Sequence, residues 1–229
     1  MTYTNTLKRI RQNKTNYRKR SAILIGRQPF IAAKISSQNI SAQALKPTLT
    51  GDIVVASAHS RELIQHGWKG AMNSMPACYL TGLLLGKKCI EKGATNAVLY
   101  TGNHPFTTRV AACLKGIVDS GINIPVSEES LPDENRISGK HIAEYANLLK
   151  DDEGKYNSRF SALLKQGLRP EDYPRHFEEI RMRISDKLPQ DSERLKEVSN
   201  KVNKLTKEKI HNESNTKIKR PFKGGSEKE

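Results

Sequence analysis

Negative charge is missing from the start of this 229-residue chain: no aspartate or glutamate precedes Asp52. The same stretch carries ten cations, Lys8, Arg9, Arg11, Lys14, Arg18, Lys19, Arg20, Arg27, Lys34 and Lys46. The formal net charge is +15, so setting aside the +10 of this stretch leaves +5 for everything that follows. Charge placed so unevenly marks an interaction arm whose partner is a polyanion, in the first instance a nucleic acid.

Cysteine is scarce as well. The three present, Cys78, Cys89 and Cys113, form no C-x-x-C pair and fall inside apolar helical patterns. That excludes a disulfide framework and a zinc ribbon, and suits small buried side chains in a reducing compartment. No stretch approaches the roughly 20 apolar residues needed to span a bilayer, and the N-terminus lacks the apolar region of a secretory signal. A cytosolic protein without a membrane partner is expected. Hydrophobic residues make up 36% of the chain, which favours one compact core with polar extensions.

Catalytic signatures are also absent. The six histidines show no H-E-x-x-H or other paired-ligand spacing, so neither metal nor cofactor is expected. His59 and Ser60 are adjacent, with Asp52 upstream, but neighbours on a strand face opposite ways, and no G-x-S-x-G turn is present. Gly67 to Gly70 (GWKG) fits neither a P-loop nor a dinucleotide fingerprint. The exposed carboxylates Glu128, Glu129, Asp133 and Glu134 give an alternative, a metal-dependent RNA-processing enzyme on an α/β scaffold. They lie in a proline-interrupted segment, however, and a solvated loop is the plainer reading.

The pattern of elements predicts an α/β class. Residues 29–36 and 40–45 read as an N-terminal antiparallel hairpin turned by Ser37, Gln38 and Asn39, and 52–58 as a third strand. Residues 74–92 read as a helix capped by Ser74, with Gly82 and Gly86 packed closely on the sheet. A buried strand at 96–101 and a helix at 108–120 follow, then an exposed loop at 125–136. Further helices are expected at 139–150, 156–166 and 170–188. The organisation is therefore a basic arm at 1–28, a mixed-sheet core with packed helices at 29–150, a C-terminal helical annex at 151–190, and a charged helix and basic tail at 191–229. In that last part Leu195, Val198, Val202 and Leu205 form a narrow apolar stripe.

Binding residues follow from this layout. Lys8, Arg9, Arg11, Lys14, Arg18, Lys19, Arg20 and Arg27 can pair with phosphates while Tyr17 stacks on a base or ribose. His59, Ser60 and Arg61 follow the third strand, and His104, Thr108 and Arg109 follow the fourth, so both groups are expected on one rim of the sheet. Trp68 and Lys69, between glycines, offer a further stacking and phosphate pair.

Several separated blocks carry a family resemblance: Lys14 to Arg20 (KTNYRKR), Ser57 to Leu63 (SAHSREL), Gly67 to Gly70 (GWKG), Tyr79 to Lys88 (YLTGLLLGKK) and Leu131 to Tyr145 (LPDENRISGKHIAEY). In order and spacing the chain resembles the archaeal-type ribosomal protein L eighteen family, related to eukaryotic ribosomal protein L five. The resemblance covers about the first two thirds of the chain. It implies a structural, non-catalytic protein of the large ribosomal subunit that binds 5S rRNA through its arm and sheet-end loops and joins it to the large-subunit rRNA. The stretch beyond about Gln190 extends past the family pattern and is expected to follow an RNA groove or a neighbouring large-subunit ribosomal protein.

Overall fold

A computed structural model describes residues 6–48 and 51–186, which lie within one compact unit. The expected charged helix and apolar stripe at 191–229 fall outside the described residues. The chain opens with two short helices, α1 (Lys8–Arg11) and α2 (Tyr17–Gly26), ahead of the first strand. Strands β1 (Phe30–Ile35) and β2 (Ile40–Pro47) pair antiparallel from Phe30↔Leu45 to Ile35↔Ile40. Their turn is fixed by Ser36, whose backbone N–H donates to Asn39 O at 2.8 Å and whose hydroxyl accepts the Asn39 N–H at 2.9 Å.

Strand β3 (Asp52–His59) adds antiparallel to the far side of β2, running from Pro47↔Asp52 to Ser41↔His59 with a bulge at Ala44/Leu45. Ile40, Ala42, Ala44, Ala56 and Ala58 all point to one buried face, the period-two pattern of a sheet covered on one side. A 3-10 helix at Ser60–His66 leads to α3 (Met75–Glu91), whose N-cap Ser74 accepts from the Ala77 N–H. Lys88 donates to Ser57 O at 3.1 Å, and Lys92 donates to Val55 O. An ammonium group near the end of α3 and one on the residue just past it thus cap carbonyls of β3.

Strand β4 (Val98–Leu99) is parallel to β1, giving the order β3-β2-β1-β4, and α4 (Thr108–Asp119) follows it. The expected strand at 96–101 is thus only two residues long. Asn96 instead bridges to Asn123, and the Ala97 N–H donates to Asn123 O at 3.1 Å, so part of this segment pairs outside the four-stranded sheet. The expected loop at 125–136 is exposed for most of its length but contains a 3-10 turn at Glu128–Ser130. Its last residues begin α5 (Glu134–Ser138).

The glycines of α3 serve a different neighbour from the one expected. A Cβ on Gly82 would collide with Cys113 O of α4, and one on Gly116 with Tyr79 O of α3. The missing side chains let two helix backbones touch each other; they do not bring α3 onto the sheet. The thiols in this layer are buried, and burial pushes Cys78 up to about 12 and Cys89 up to about 11, which keeps them protonated and inert.

Helices α6 (Lys140–Leu148), α7 (Glu153–Lys165) and α8 (Tyr173–Asp186) complete the described chain. Tyr173, Phe177, Ile180 and Ile184 of α8 join the same buried cluster as Trp68, Leu80 and Ile31. The C-terminal helices are therefore built onto the core of the sheet and share it. The result is the mixed α/β arrangement read from the sequence, with α3 and α4 packed on the core face of the sheet.

Candidate nucleic-acid interface

The arm is helical where the sequence shows no helical period. In α2 the cations Arg18, Lys19 and Arg20 occupy the first turn and the apolar residues Ala22 to Ile25 the second half, so no apolar stripe forms for a periodicity search to find. The signals that specify it are local. Asn13 takes a left-handed conformation at φ 51, and Asn16 caps the helix by accepting the Lys19 N–H at 3.1 Å. No acid stands in the first turn of α2. Cations crowd the positive end of a helix dipole there, which raises the local potential that an RNA phosphate relieves.

Three contacts hold this arm on the sheet. Asn103 donates to Asn13 O at 2.8 Å and to Asn13 Oδ1 at 3.0 Å, and Lys19 Nζ donates to Gly102 O at 3.2 Å. Arg20 forms an ion pair with Asp52 and lies 5.5 Å from the centroid of the Phe30 ring, which itself meets Tyr100 edge-on at 5.5 Å. Arg20 is therefore mostly covered and neutralised within the protein. Its expected role as a free phosphate contact gives way to a structural one.

Topology brings the two loop groups to one rim. Strands β1, β3 and β4 all run the same way, so His59, Ile35 and the segment after Leu99 lie at the same end of the sheet. Four strands in a row place the two groups about 15 Å apart. Lys34 stands between them, opposite Ser41, which is opposite His59. Lys8, Arg9, Arg11, Lys14, Arg18, Arg27, Lys34, Arg61 and His104 are exposed and form no ion pair with a carboxylate among the described residues. Tyr17 and Thr108 are exposed too, while Arg109 is half-buried.

Other predicted residues turn inward. Ser60 is fully buried (0% exposed); its hydroxyl accepts the Ile40 N–H at 3.2 Å and donates to Asn39 Oδ1 at 3.3 Å, tying the end of β3 to the hairpin turn. His59 is a cap: Nδ1 accepts the Arg61 N–H at 3.1 Å, and its own N–H donates to Glu62 Oε1 at 3.0 Å. Trp68 is 3% exposed, stacked on His176 at 5.3 Å and edge-on to Tyr173 at 5.6 Å, so it is a packing residue and no stacking platform. Lys69 is exposed, but its backbone N–H donates to His176 Nε2 at 3.1 Å. It belongs to a separate group with His176 and Arg183.

Asp52 and Ser60 lie at opposite ends of β3, and Ser60 is committed to the hairpin, so His59, Ser60 and Asp52 make no catalytic triad. Glu128, Glu129, Asp133 and Glu134 are all exposed, and among the described residues no three His, Cys, Asp or Glu side chains converge on a point that holds a metal ion. No described helix is long and apolar enough to cross a membrane. The junction of arm and sheet is lined by Asn13, Lys34, Tyr100 and Asn103; sequence reasoning reached Lys34 as one of the ten early cations and Asn103 as part of the loop after the fourth strand, and it passed over Asn13 and Tyr100. Of those two, Asn13 carried a signal, as an asparagine between two cationic runs.

Comparison with known proteins follows the same outline. The sequence model of the family described as "Ribosomal large subunit proteins 60S L5, and 50S L18" matches residues 1–108. A "Large ribosomal subunit protein uL18" from Thermofilum pendens is 42% identical over 185 residues, covering 80% of this chain and 94% of its own. Another of the same description, from Methanococcus maripaludis, is 42% identical over 179 residues, covering 77% and 93%.

Proposed function

The chain belongs to the uL18 family of large ribosomal subunit proteins, and from that premise we propose that its arm and sheet rim bind 5S rRNA and join it to the large-subunit rRNA. At the coarser level it is a structural constituent of the cytoplasmic ribosome's large subunit and not an enzyme. The observation that carries the finer reading is the placement of unpaired cations. Those of the arm stand beside those of the sheet rim, while the one arm arginine that meets an acid, Arg20, fastens the arm down.

The contact set is Lys8, Arg9, Arg11, Lys14, Tyr17, Arg18, Lys19 and Arg27 on the arm, with Arg61, His104, Thr108 and Arg109 at the rim. Ser60, Arg20 and Trp68 support it from within, His59 caps the loop that presents Arg61, and Lys69 stands apart. The mechanism is charge neutralisation by a surface of fixed direction. Folded RNA crowds its phosphates, cations of the arm relieve that repulsion, and the hydrogen bonds from Asn103 and Lys19 set where the arm points. Recognition rests on phosphate, ribose and shape. In the same reading, residues 191–229 are proposed to bind RNA or a neighbouring ribosomal protein.

The test is the salt dependence of 5S rRNA binding. Replacing Lys14 and Arg18 by alanine together should weaken binding and flatten the slope of log affinity against log salt by roughly 1 to 2. An unchanged slope would defeat the assignment.

A further inference from the structure

Between the arm and the sheet lies a cleft of about 480 Å³, within the ~300–1,000 Å³ span of sites that take a small molecule or a single nucleotide. We infer that this cleft receives one unpaired nucleotide of the bound RNA, base included, so that the arm grips an extruded residue as well as a run of phosphates. The inference rests on the proposed RNA-binding function and deepens it.

Its walls come from two parts of the chain. Arg9 and Lys14 stand on the arm side and Lys34 on the strand side, and no carboxylate lines the space. The lining charge is thus wholly positive, which suits the phosphate of an entering nucleotide. The floor is small: Ala32 lies at the middle of β1, and Gly102, at φ +60, turns the loop without a Cβ. Side chains of ordinary size there would fill the space; their absence leaves room for a ring. Tyr100 and His104 supply aromatic groups in the lining for stacking.

Geometry also separates this from a surface that reads phosphate alone. Paired bases are held inside their helix, and a phosphate track needs a ridge of cations and no cavity, whereas single-stranded RNA is recognised by taking splayed bases onto aromatic side chains. The cleft is held open before RNA arrives, because Asn103 spends its amide protons on Asn13 and Lys19 holds Gly102 O. The Asn103 carbonyl Oδ1 has no partner among the described residues and is an acceptor for an exocyclic amino group of a base.

The test uses the full chain with 5S rRNA and, separately, with a fully paired RNA duplex of similar length. Ala32→Leu fills the floor and leaves every charge in place. It should lower affinity for 5S rRNA about tenfold or more while flattening the salt slope by no more than about 1, the share of a single phosphate, leave duplex binding as it was, and restore 2′-hydroxyl reactivity at one unpaired nucleotide that wild type protects. Thermal melting confirms that the variant folds. Independently of any variant, zero-length ultraviolet crosslinking of the wild-type complex should join one unpaired nucleotide to residues 100–104. Wild-type affinity and footprint in Ala32→Leu, or crosslinks that avoid residues 100–104, would overturn the inference while leaving the arm's charge role standing. A wild-type chain that does not bind 5S rRNA would instead remove the reading on which it rests.

Discussion

Arg20 on the arm is ion-paired with Asp52, the first acidic residue in the chain. The two lie on α2 and at the start of β3, with side chains only 19% and 25% exposed, and the guanidinium also rests over Phe30. A chain that withholds carboxylates for 51 residues thus uses its first one to fasten the arm to the sheet. Partial burial shields the pair from salt better than an exposed pair, so it persists under conditions that weaken RNA contacts.

Removing the carboxylate should therefore loosen binding even though it removes a negative charge near a polyanion. Asp52→Asn is expected to weaken 5S rRNA binding about threefold, the scale of the ~0.2–1 kcal/mol that a partly exposed ion pair supplies. Cleavage of the arm by trypsin should accelerate. Tighter binding in this variant would mean that Asp52 acts only by repulsion.

Trp68, the one tryptophan in the chain, reports on its neighbour His176. Burial, aided by Lys69 and Arg183 and opposed by Glu179, lowers the His176 pKa below its ordinary 6.5. The neutral ring also accepts the Lys69 N–H. Because the folded state resists this proton more than the unfolded state does, the stabilisation is present above about pH 6.5 and is lost as pH falls through the folded pKa. Trp68 emission should titrate with a midpoint below 6.5, and His176→Gln should abolish that transition. A midpoint at or above 6.5 would contradict the packing described.

Ser60→Ala separates support from contact. It strips the Ile40 N–H of its acceptor in a fully buried site, at a cost of about 1–3 kcal/mol measured by urea unfolding. The salt slope of RNA binding should not change. Full stability combined with lost affinity would return Ser60 to the RNA surface.

Glycine substitutions test the helix pair. Gly82→Ala sets a Cβ against Cys113 O and should destabilise the protein by more than about 3 kcal/mol or prevent folding, since backbone cannot yield as a flexible side chain does. Gly154, on exposed α7 with open space around it, is the control: Gly154→Ala should stabilise by roughly 0.5–1 kcal/mol. Thermal melting distinguishes the two, and equal effects would refute the close helix contact.

The sequence by itself determined the placement of charge, the hairpin and third strand, the capped helix at Ser74 and the family. The first three depend on residues close together in the chain, namely a run of cations without acids, alternating apolar positions and a serine before a helix's first turn, and the family on the order and spacing of separated blocks. The helical arm stayed hidden because its cations and apolar residues follow one another along the helix and do not alternate around it, so no period marks it. Only the tertiary structure decided which cations remain available. Arg20 and Asp52 are 32 residues apart in sequence, and Asn13 and Asn103 are 90 apart. Such pairs form when the sheet sets several strand ends along one rim, and whether Trp68, Ser60 or Lys34 faces water depends on what packs against it from elsewhere in the chain.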